Sequence, residues 1–177
     1  MNCFHAKKGR DGLVMETNYK GNCAHDDPLF IGEEYQDFIT NYMSKNLGIS
    51  ITIFKSKKYQ YNIGETVQGV EIKYDARSTG DCTYKECKAS GNVGIEVAEK
   101  TNASNMNFIE SGIYRNDNSW LYIVGNYDCA WIFNKNLLKI LHVSNRYTTV
   151  QTLPTMKSML LPIEEADKYC AKKLIFK

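Results

Sequence analysis

The chain has 177 residues, 43% of them apolar and 24% charged, with 22 basic side chains against 20 acidic ones. That length can bury a core of its own, and 12 Tyr, 7 Phe and 2 Trp are more aromatic surface than a disordered chain leaves in water. No apolar run approaches the ~20 residues that span a bilayer, and a formal charge of +2 excludes a protein that coats nucleic acid by bulk charge alone.

The opening residues lack the apolar segment of a signal peptide, so a cytoplasmic protein with six free thiols is expected. Residues 1–26 are polar and weakly periodic and read as an arm, with a single domain over 27–177. Within the arm, Cys3 and His5 echo Cys23 and His25. One intervening residue is poor spacing for a zinc chelate, and incidental placement is the simpler reading.

Asp27-Pro28 opens a helix: Asp caps, Pro fits the first turn, and Ile31, Tyr35, Phe38 and Tyr42 recur at helical spacing up to Leu47 and Gly48. Residues 49–55 alternate β-branched and polar side chains, predicting a strand. Residues 70–75 predict a second, with Val70, Ile72 and Tyr74 on one face and Glu71, Lys73 and Asp75 on the other. A long polar connection leads to a third over 93–99, with Val93, Ile95 and Val97 opposite Glu96 and Ala98. The unbroken apolar run at 119–124 predicts a strand covered on both faces, joined through Gly125-Asn126 to another over 127–133. A short helix is expected over 134–141. A last helix is expected from Pro162, with Glu164 and Glu165 in its first turn and Lys172-Lys173 at its end.

Should the strands at 70–75 and 93–99 lie side by side and antiparallel, Glu71, Lys73, Asp75, Glu96 and Lys100 share a face. One reading is a solvated sheet face with Glu71–Lys100 or Lys73–Glu96 cross-strand pairs. The other is chemical: carboxylates crowd together at a cost unless a cation sits between them, and a divalent ion held by oxygen ligands relieves it.

A helix carrying an acid, then a strand, then Gly69-Val70-Glu71-Ile72-Lys73, then a strand with an acid at Glu96, resembles the core of the PD-(D/E)XK, or restriction-endonuclease-like, nucleases. The phrase Glu96-Val97-Ala98-Glu99-Lys100 is similar to small phage- or restriction-related members. The resemblance implies an α/β αβββαβ core with a mixed central sheet flanked by helices, and a Mg2+-dependent endonuclease acting on DNA, with Mn2+ as a substitute. On the matching positions it implies Glu71, Glu96 and Glu34 (or Glu33) as the acids, with Asp75 as a third metal ligand. Ala98 stands where the family places its lysine, so Lys73, or secondarily Lys100, would supply the ammonium group. A second register makes Glu71-Ile72-Lys73 the motif itself; it needs an upstream acid, and Glu65 is six residues away, too near for a separate strand. Lys55, Lys57, Lys58 and Arg115 are expected to meet phosphate, with Lys85 and Lys88 beside them. A homodimer is the family's usual route to cutting both strands. The alternative is a decayed member serving as a nucleic-acid-binding or protein-interaction module.

Overall fold

The computed structural model describes residues 28–80 and 88–176. The arm, Asp27, Cys82, Lys85 and Cys87 lie outside the described residues. The described chain is mixed α/β, with four α-helices and two four-stranded sheets. Among the described residues no helix is long and apolar enough to cross a membrane.

Helix α1 (Pro28–Leu47) buries Tyr35, Ile39 and Met43, one residue per turn, and ends where Gly48 adopts φ +67°. Residues 49–55 do not extend into the expected strand: Ile53 forms a lone antiparallel bridge with Thr66. The facing segment, held by Phe54 N–H to Glu65 O (3.0 Å) and Val67 N–H to Thr52 O (2.9 Å), soon turns at Gly69 and leaves no partner for a longer ladder. A short helix α2 (Lys57–Asn62) intervenes.

The first sheet has the order β1–β4–β5–β8, formed by Val70–Tyr74, Leu121–Gly125, Cys129–Asn134 and Lys172–Ile175. Strand β1 is parallel to β4 and the remaining pairs are antiparallel, so the sheet is mixed. The expectation for residues 119–124 holds. Ile123, Ala130 and Ile132 face α1, whereas Tyr122, Val124, Trp131 and Phe133 face the opposite core with the second sheet. Asn134 then caps α3 (Lys135–Val143), its side chain accepting from the Asn136 and Leu137 amides.

The second sheet has the order β3–β2–β7–β6: Ile109–Glu110, Asn92–Glu99, Met156–Pro162 and Thr149–Leu153, all antiparallel. The β6–β7 hairpin is absent from the sequence expectation. The strands at 70–75 and 93–99 are not ladder neighbours as expected, since β1 pairs with β4 and β2 with β7 and β3. Side chains bridge the two sheets instead. Alternate amides of β2 point away from β7, and two of them find acceptors on the first sheet: Gly94 N–H donates to Asp75 Oδ2 (2.7 Å) and Glu96 N–H to Tyr122 Oη (3.3 Å). The C-terminal helix is shorter than predicted. Helix α4 spans Ile163–Tyr169, and Lys172 and Lys173 belong to β8, because the ladder with β5 outweighs a helix-ending charge pattern.

Adjacent residues at the β5–α3 junction separate packing from capping. Phe133→Ala, deep in the core, is expected to cost about 3–5 kcal/mol. Asn134→Ala is expected to cost only about 1 kcal/mol, through the lost cap. Urea denaturation of the two variants measures both.

Candidate functional site

Strand alternation sends Val70 and Ile72 toward α1 and therefore Glu71 and Lys73 to the other face, against the second sheet. There Lys73 Nζ lies 3.0 Å from Glu65 Oε1, 3.1 Å from Glu71 Oε1 and 3.6 Å from Glu96 Oε2. On the far side of Glu71, Lys135 Nζ lies 3.2 Å from its Oε2 and 3.0 Å from Asp117 Oδ1. Arg115 Nε closes the chain 3.4 Å from Asp117 Oδ2. Four carboxylates thus meet three cationic groups, leaving one negative charge. Glu71 is fully buried, Lys135 is 2% exposed, and the Lys73 side chain, 29% exposed, opens the cluster to solvent.

Each group is placed by local structure. Glu65 reaches the cluster because the chain folds back at once: Thr66 Oγ1 donates to Val70 O (2.9 Å) and accepts from Val70 N–H (2.8 Å), tying the turn to the start of β1. Its Oε2 accepts from Ile72 N–H (3.1 Å) and from Gln36 Nε2 on α1 (3.2 Å). Glu96 Oε1 accepts from Ser111 Oγ at 2.6 Å. Gly112, at φ +53°, lies so close to this strand that an added Cβ would sit 2.7 Å from Glu96 Cβ. Both Glu71 oxygens lack a hydrogen-bond donor, although two ammonium groups lie within ion-pair range.

The electrostatics follow from this packing. Burial alone would lower the Lys73 pKa, but Glu65, Glu71 and Glu96 outweigh it and hold the amine well above its usual range, so it is a cation at neutral pH. Burial raises the Glu99 carboxyl at the rim, and the neighbouring Glu96 charge raises it further. Asp117 goes the other way: burial raises it, but the Ser119 amide and Lys135 prevail and hold it below the ordinary carboxylate value.

Of the residues singled out from sequence, Glu71, Lys73 and Glu96 are brought together. Asp75 is used elsewhere, with Oδ2 on the Gly94 amide and Oδ1 on the Arg77 amide (3.1 Å). Lys100 donates to the Ala103 and Asn105 carbonyls, both at 2.9 Å, closing a turn. On α1 it is Gln36 whose bond to the cluster is described above; Glu34 is half-buried two residues earlier, and Glu33 pairs at the surface with Lys57 (2.9 Å). Lys55 and Lys57 line a groove of about 520 Å³ between α1 and residues 51–60, with Gln36 on its wall; Lys58 and Lys88 are exposed. Arg115 is committed to Asp117 and the Gln60 carbonyl.

Sequence reasoning missed Ser111, Asp117 and Lys135, and set Glu65 aside as too near along the chain. Lys135 carried a signal: a cation at the first position of a helix opposes the helix dipole, so a carboxylate had to be close. Comparison with known protein families, curated proteins and solved structures returned no match.

Asp117 is one of two partners of Lys135, which keeps Glu71, and it also pairs with Arg115. Asp117→Asn is expected to lower stability by about 2 kcal/mol at neutral pH through the lost charge-assisted hydrogen bonds. The low native pKa of Asp117 means its contribution is complete above the unfolded value of ~3.9 and is lost as pH falls toward the native one. The gap between variant and wild type therefore narrows below about pH 4, measurable by urea denaturation across pH.

Proposed function

We propose that the chain is a metal-dependent endonuclease that hydrolyses DNA phosphodiester bonds, built on a variant of the restriction-endonuclease-like core. The supporting observation is that Glu71, Lys73 and Glu96, picked out along the chain by their resemblance to that nuclease motif, meet within 3.6 Å of one ammonium group although they come from different sheets. The adjacent helix contributes Gln36, bonded to Glu65. Lys73 fills the place of the family lysine that Ala98 lacks.

On this reading Glu71 and Glu96 would hold Mg2+: the two Glu71 oxygens now face the Lys73 and Lys135 ammonium groups at 3.1 and 3.2 Å, and Glu96 Oε2 lies 3.6 Å from Lys73 Nζ. Among the described residues no three His, Cys, Asp or Glu side chains are arranged as a metal cage. A Mg2+ site on this reading would be sparse, with one or two carboxylates and the rest water and phosphate. When bound, the ion would supply Lewis acidity and a more acidic water. Lys73, held as a cation, would orient the attacking water and offset charge on the phosphate. Glu65 and Gln36 would keep Lys73 and β1 in register.

A second reading, a decayed module that binds nucleic acid or protein without cutting, is favoured by Lys73 and Lys135 already neutralising Glu71.

Plasmid nicking with Mg2+, Mn2+ or chelator separates the two. The nuclease reading expects metal-dependent cleavage that falls roughly 10²-fold or more in Glu96→Gln and in Lys73→Met. DNA binding without cleavage and without a metal response would establish the decayed module.

A further inference from the structure

Beside the ion cluster, the last turn of α2 with the loop that follows it, and the loop before β4, carry aromatic rings that the fold leaves in water. Tyr61 is 79% exposed and Trp120 57%, with Ile63 and Val67 also exposed on the same loops. The loops are joined by Asn118 N–H to Ile63 O (2.7 Å), Asn118 Nδ2 to Thr66 O (3.0 Å) and Trp120 N–H to Gly69 O (2.9 Å). The rings are anchored where they stand. Trp120 Nε1 donates to Gln68 O at 3.0 Å, and Gly69 packs so closely on the indole that a Cβ there would meet Cδ1 at 2.8 Å. Arg115 donates to Gln60 O and lies over the Tyr61 ring, 6.0 Å from its centroid. Two large exposed rings, Trp120 held by its indole N–H and Tyr61 backed by the Arg115 guanidinium, are a surface that a planar partner can cover.

The position of this surface says which partner. The segment from the end of α2 that presents Tyr61, Ile63 and Val67 outward also delivers Glu65 inward to Lys73. Arg115 and Asp117, which lead to Trp120, are joined through Lys135 to Glu71. Gln60, bonded by Arg115, also lines the groove that carries Lys55 and Lys57. Exposed aromatic rings, with Lys55 and the Glu33–Lys57 pair on the neighbouring groove, suit the stacked bases of an unpaired strand with a cation near its backbone. A duplex hides its base faces and offers nothing to stack on Tyr61 or Trp120.

We propose that Tyr61 and Trp120 form a stacking shelf for the bases of single-stranded DNA, so that the proposed nuclease acts at unpaired stretches such as gaps, flaps or frayed ends. This rests on the nuclease reading of the cluster for its consequence, but the binding itself is measured without cleavage.

The other tryptophan, Trp131, is fully buried, so quenching of intrinsic fluorescence reports on Trp120. The full chain is titrated in chelator with an oligothymidine and with a duplex of equal length. The expected result is quenching by the single strand, with binding at least about tenfold tighter than to the duplex. Trp120→Ala should weaken single-strand binding roughly tenfold, whereas Trp120→Phe, which keeps a stacking face, should retain affinity and lose the quench. Ile140→Ala, an exposed apolar residue on α3, should bind as wild type. Equal affinity for duplex and single strand, or quenching that persists in Trp120→Phe, overturns the shelf. Plasmid nicking tests the cluster separately: cleavage can fail with the quench intact, and the quench can fail with cleavage intact.

Discussion

The buried carboxylate of Glu71 is the constraint around which the described structure is organised. A charge with no access to water must be met by opposite charge, and here Lys73 and Lys135 meet it from two sides. Each of those cations recruits further acids: Glu65 and Glu96 to Lys73, Asp117 to Lys135. The resulting network ties together β1, the turn before it, β2 of the other sheet, the first residue of α3 and the 115–117 loop. Apolar packing of Trp131, Phe133 and Tyr122 between the sheets contributes area, but it does not specify relative placement as an ionic network does.

The same network is a poor choice if stability were its only purpose. Replacing buried ion pairs by apolar side chains of similar volume is often neutral or stabilising. The network carries one excess negative charge and leaves the Lys73 ammonium open to solvent on one side. The exposed rings of Tyr61 and Trp120 lie on segments that adjoin Arg115 and Asp117 of the network.

Side-chain bridges between the two sheets account for how the site can draw on both. Had β1 and β2 formed a regular ladder, their amides would be consumed by each other. Instead the β2 edge is satisfied by Asp75 and Tyr122, which explains why Asp75, an acid at the expected spacing, is occupied by the Gly94 amide. Burial raises its pKa, against the pull of the backbone amides it accepts from.

Local chemistry was enough to determine α1, the strand character within 70–75, 93–99, 119–124 and 127–133, and a short helix near 134–141. Those follow from side-chain period and turn residues, which act over a few positions. Alternation also placed Glu71 and Lys73 on one face, and Glu96 on the polar face of its strand. What sequence could not decide was pairing. Whether β2 lies beside β1 or across from it depends on contacts between distant segments, including the β6–β7 hairpin that no strong pattern announced. Local charge misled at the C-terminus, where Lys172 and Lys173 read as a helix end but entered β8 because β5 offered an open edge. Glu65, Asp117 and Lys135 became part of the site only in three dimensions, since an ionic network is specified by distance in space and leaves no fixed spacing along the chain.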